Sequence, residues 1–125
     1  MEFSTLANRL ISKEFSIWTE PVGNETTSKV ITYVNNDIEP ETMLLETKGS
    51  TKFDARIAIE VLSTAAIITK TILTLYNSGL KSPDQIEEKV KKSVKQERIN
   101  QITKVKSIIS IVTAVLKLIE ELQKG

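Results

Sequence analysis

The sequence predicts an all-α, single-domain bundle of four to six helices, with residues 51–78 and 102–122 as its central antiparallel pair. Three observations carry this. Apolar residues recur at helical spacing in both segments: Val61, Ala65, Ile68, Ile72 and Leu75 in the first, and Ile102, Val105, Ile109, Val112, Leu116 and Ile119 in the second. Glycine stands only at positions 23, 49, 79 and 125, and neither Gly nor Pro interrupts Asp84–Lys124. A chain of 125 residues with 40% hydrophobic content suits one domain, residues 1–125, with a core that needs no covalent staples.

Residues 4–15 read as an amphipathic helix. Ser4 is a plausible cap, Leu6, Leu10, Ile11 and Phe15 lie on one side, and Arg9, Lys13 and Glu14 face water. Pro21 and Gly23 stop it, and Ile17 and Trp18 before them are expected to tuck into the core as an extended segment. Trp18, the single Trp, reads as a core plug before it reads as a ligand-stacking group.

Residues 24–36 carry two signals. Val30, Ile31, Val34 and Ile38 have helical spacing, while the β-branched run TTSKVITYV favours a strand. The spacing tips the expectation toward helix, ended by Asn35-Asn36-Asp37. Pro40 at a first helical position and Gly49 as a stop frame a further short helix through ETMLLETK.

The long fourth element runs from about Thr51 to Ser78 and ends at Gly79. A second row of Leu62, Ala66, Leu73 and Tyr76 lies beside its main stripe, and the small Ala65 and Ala66 invite close approach of another helix. Ser82 as N-cap and Pro83 at the first position open the next helix, whose narrow stripe is Ile86, Val90 and Val94. That stripe is out of register with the one beginning at Ile102, so a helix break is expected near residues 97–101.

Composition removes several functions. No Cys and no His are present, which excludes disulfides, thiol nucleophiles, imidazole bases and the common zinc sites. There is no Gly-rich phosphate loop. The acidic stretch Asn35–Glu39 lacks EF-hand spacing, and the adjacent pairs Glu87-Glu88 and Glu120-Glu121 diverge on a helix instead of converging on one substrate atom. No catalytic residue, metal site or cofactor is therefore expected, and the chain does not read as an enzyme. The N-terminus shows no secretory signal, so the expected location is cytoplasmic, with a membrane-peripheral placement as alternative.

Charge is unevenly spread. Residues 1–60 carry about −4 and residues 61–125 about +5, against a net charge of +1. The halves are expected to fold against each other and partly neutralise. Lys91, Lys95 and Arg98 share a helix face and so offer a contact for an anionic partner. Glu87, Glu88 and Glu97 dilute that basic run and no aromatic side chain interleaves it, so nucleic acid is the least favoured partner. A bilayer span through residues 57–80 would leave Lys70 near its centre, at a cost of about 2.5–3.5 kcal/mol. A C-terminal amphipathic helix lying on a membrane, with Lys104, Lys106, Lys117 and Lys124 as its polar anchors, is the better form of that alternative.

The charges flanking the last stripe run against the helix dipole, with Lys104 and Lys106 at its start and Glu120 and Glu121 at its end. An antiparallel neighbour would relieve this. A second copy centred near Thr113 would pair Lys106 with Glu120 of the other chain. The leading expectation is accordingly a protein–protein interaction or assembly module, self-associating as an antiparallel homodimer or serving as a small subunit beside another helical protein. Its interface would comprise Val105, Ile109, Val112, Leu116, Ile119, Lys106 and Glu120.

Overall fold

The structure, a computed structural model, describes residues 1–40, 42 and 53–124. Among these residues there are seven helices and no strand: α1 Phe3–Glu14, α2 Ser16–Thr19, α3 Gly23–Asn35, α4 Phe53–Asn77, α5 Pro83–Ser93, α6 Gln96–Ile102 and α7 Ile108–Lys124. The fold is an all-helical bundle. The count exceeds four to six because α2 and α6 are short pieces between longer helices. The helix expected between Pro40 and Gly49 lies outside the described residues.

Helix α4 is the hub and packs against each of the other six. Its middle is buried nearly all round: Val61, Leu62, Ala65, Ala66, Ile68 and Ile72 are all 1% exposed or less. Such a helix must also hide its hydroxyls. Ser63, Thr64 and Thr69 do so by donating to the carbonyls of Ile59, Glu60 and Ala65 one turn earlier. The segment Ala55–Asn77 is long and apolar enough to cross a bilayer, but 67% of its most apolar window is buried against the rest of the chain. A core helix shows the same pattern.

Around the hub, α1 buries Leu6, Leu10 and Ile11, with Phe15 just beyond its end, as its spacing predicts. Ser4 lies inside the first turn, and Glu2 takes the cap position without a side-chain bond. Residues 16–19 form a single helical turn instead of an extended segment. That turn throws Ile17 outward, 69% exposed, because Phe15 already fills the core position. Trp18 is half-buried against the core, its indole Nε1 enclosed without a hydrogen-bond partner among the described residues.

Residues 23–35 are helical, which resolves the helix–strand conflict. Val30, Ile31 and Val34 are buried on one face, and Thr27 and Thr32 bond back to the carbonyls of Gly23 and Ser28. Tertiary burial outweighs the weak β preference of the branched run. The ends of α3 and α4 are the same Schellman turn. In α3, Ile38 N donates to Tyr33 O and Asp37 N to Val34 O; in α4, Leu80 N donates to Leu75 O and Gly79 N to Tyr76 O. The left-handed residue is Gly79 in one, with φ +100°, and Asp37 in the other, with φ +57°.

Helix α5 begins as expected, with Pro83 in its first turn and Gln85 N donating to the Ser82 hydroxyl at 3.5 Å. The chain then departs from expectation. The break is not at residues 97–101, which are helical. It falls first at Val94 and Lys95, both extended, with ψ of 141° and 136°, and again at residues 103–107. Residues 83–124 thus form three helices without any glycine or proline between them.

These extra reversals change the central pair. Residues 51–78 and 102–122 do touch, through α4 and α7. Their ends are matched by Gln101 donating to Glu60 and by Tyr76 donating to Gln123 at 3.3 Å, so the two segments run in the same sense. Helix α7 also packs against α5.

Candidate interaction face on the C-terminal helix

Helix α7 starts at Ile108, six residues after the apolar stripe begins. Ser107 opens it, accepting a bond from Ser110 N at 3.3 Å, in the manner of an N-cap. Ile102 lies at the end of α6, and Val105 lies in the turn between the helices. A register read forward from Ile102 and Val105 therefore does not carry into α7. The face that α7 buries is Ile108, Ile111, Val112, Val115, Leu118 and Ile119. It faces α1, α4 and α5.

The expected interface strip is divided by this rotation. Val112 and Ile119 are fully buried in the chain's own core and are closed to any partner. Val105, Ile109 and Leu116 are half-buried at the margin, and Glu120 is exposed. Lys106 is held within the chain, 2.8 Å from Glu14 at the end of α1. Lys13, the residue before it, pairs with Glu121 at 3.7 Å. Two charges that run against the α7 dipole are thus met by α1, an element with no sequence signature pointing at α7. Lys104 and Glu120 make no ion pair among the described residues.

Among the outward residues of α7, Thr113, Lys117 and Glu120, all exposed, form a strip continued by Ser110 and Lys124 and flanked by half-buried Leu116. The strip borders a shallow depression of about 300 Å³ completed by Tyr76, Lys81 and Pro83. Lys81 Nζ stands 4.3 Å from the centre of the Tyr76 ring, a cation–π contact that holds the rim. Lys117 and Glu120 make no hydrogen bond or ion pair among the described residues. Glu120 belongs to the interface that the sequence predicts, whereas Lys117 enters there only as a polar anchor of the membrane alternative. The i, i+3 spacing of these two opposite charges was the available signal.

The basic trio is separated. Lys91 is on α5 and pairs with Glu87 at 3.4 Å. Lys95 lies in the break, and Arg98 is on α6. Arg98 points inward: it is 9% exposed, donates to the Thr64 hydroxyl at 3.2 Å and lies 3.4 Å from Glu39. The break at Val94–Lys95 is the physical reason that no common basic face forms.

A second concavity of about 480 Å³ lies between the end of α3 and α4, bordered by Val34, Ile38, Pro40, Ile67, Lys70 and Leu75 among the described residues. Lys70, the lone cation among its described lining residues, has three acceptors of its own: the carbonyls of Val34 and Asn35, each at 3.1 Å, and Asp37. Among the described residues no three acidic side chains are gathered where they could share a metal ion.

No protein-family model, no curated protein and no solved structure matches this chain.

Proposed function

We propose that this chain is a non-enzymatic helical interaction module and that the outward face of α7 is its working surface. One observation supports this above the others. Lys117 and Glu120 make no hydrogen bond or ion pair among the described residues and stand beside a half-buried Leu116 and a shallow depression, whereas Lys106, in the turn before α7, and Glu121, on α7, pair with Glu14 and Lys13 of α1. Apolar surface next to unpaired charge is what a polar-rimmed helix-to-helix contact requires. The partner fitting such a face is another amphipathic helix, on a second copy or on a larger assembly.

A photoreactive residue at Thr113, in the middle of this face, tests the proposal in cells that make the chain. The expected result is a protein adduct from position 113 and none from Ser28, exposed on α3. Absence of any adduct from position 113 would sink it.

A further inference from the structure

We infer that the partner on this face is a second copy of the chain, with the two α7 helices antiparallel about a twofold axis passing between Leu118 and Ile119. This rests on the interaction reading above and commits it to one occupant. In an antiparallel pair, residues face each other when their positions have a constant sum. Placing Lys117 opposite the partner's Glu120 therefore places Glu120 opposite the partner's Lys117, and both ion pairs form in one symmetric contact. Lys117 and Glu120, a single turn apart on this strip, complement each other when the strip is reversed, while the exposed Lys124 beyond them falls opposite the partner's Thr113. A partner of uniform charge would gain at one of the two positions and lose at the other.

The chain's own geometry keeps these two side chains available. Both are exposed, and neither has an ion pair or hydrogen bond among the described residues. Lys106, the residue that sequence symmetry would have paired with the partner's Glu120, is 2.8 Å from Glu14 and is replaced in that role by Lys117. The axis consequently moves along α7 from near Thr113 to between Leu118 and Ile119. Leu116 and the depression formed with Tyr76 and Pro83 lie at the edge of the strip and supply apolar surface for the same contact. Exposed ion pairs are individually weak, so the dimer is a concentration-dependent one that loosens as salt is raised.

A charge swap tests the pairing directly. Sedimentation velocity at low ionic strength reads the dimerisation constant. Glu120→Lys alone places lysine against lysine twice, and Lys117→Glu alone places glutamate against glutamate twice. Each is expected to raise Kd about tenfold. The double variant K117E/E120K restores both pairs with reversed polarity and should return Kd to within about threefold of the parent. Circular dichroism controls for folding, which exposed substitutions leave intact. A parent chain that stays monomeric throughout, or a double variant no better than the worse single one, would overturn the inference. If the parent is monomeric while position 113 still crosslinks to a different protein, the interaction reading survives and the self-association does not.

Discussion

The ammonium group of Lys70 stands 2.8 Å from the carboxylate of Asp37, and together they close the C-terminal end of α3. Lys70 is a charge in the middle of the long apolar helix α4. It reaches out of α4 to donate to the Val34 and Asn35 carbonyls as well. Those carbonyls belong to the last turn of α3, where a cation is favoured by the helix dipole.

Replacing Lys70 with Met keeps the aliphatic stem and removes the cap. Hydrogen bonds to a charged group are worth about 1.5–3 kcal/mol. The Lys70 side chain is 31% exposed, so water takes over part of that role. The expected loss is about 1–2 kcal/mol in urea unfolding. A change within a few tenths would show that the carbonyls are equally well served by solvent.

Asp37 carries opposing effects that two substitutions separate. Its φ of +57° suits glycine, whereas its carboxylate, 87% exposed, serves Lys70. Asp37→Gly should be close to neutral, within about 0.5 kcal/mol, because relief of the left-handed strain offsets a weak surface pair. Asp37→Val loses the pair and adds a branched side chain at a left-handed position, and should cost about 1–2 kcal/mol. Equal effects of the two would mean that backbone conformation is not what Asp37 is chosen against.

The register of α7 predicts a contrast between two residues. Ile111 is fully buried although it lies off the sequence stripe, and Leu116 is only half-buried although it lies on it. Ile111→Ala should cost about 2–4 kcal/mol, and Leu116→Ala about 1 kcal/mol. Thermal unfolding at a concentration where the chain is monomeric measures both. The reverse order would restore the stripe that sequence alone suggests.

Ser107→Ala should remove about 1 kcal/mol by stripping the cap from α7. Hydrogen exchange would then rise first at the start of α7, at Ile108–Ile111, and less toward Leu118. Uniform acceleration across the helix would point to a global effect instead of a lost cap.

Much of the bundle was legible because its signals are local. Ser82-Pro83 starts α5, and Gly79 ends α4. The 3–4 spacing of Leu6, Leu10 and Ile11 correctly names the buried side of α1, and that of Val61, Ala65, Ile68 and Ile72 does so for α4. These depend on neighbours within about one helical turn, so the residues that decide them are adjacent in the sequence. Much less of the candidate face could be read. Glu120 remains on it, but Lys106 was assigned to a partner copy and instead meets Glu14, 92 residues away. Lys117 lies off the apolar stripe, so the sequence offers it as a membrane anchor and not as a pairing residue beside Glu120.

The helical class, the start of α5 at Ser82-Pro83, the stop at Gly79 and the core-facing residues of α1, α4 and α5 were therefore set by sequence alone. Tertiary structure decided where residues 83–124 break, which way α7 runs and which charges stay free. Val94 is 7% exposed, Ile99 5% and Ile102 0%. Seating all three against one core requires extended backbone at Val94 and Lys95, and no Gly or Pro announces it. Burial of distant side chains is a property of the assembled core and leaves no periodic trace in the chain. The direction of α7 and the outward turn of Lys117 and Glu120 follow from that break.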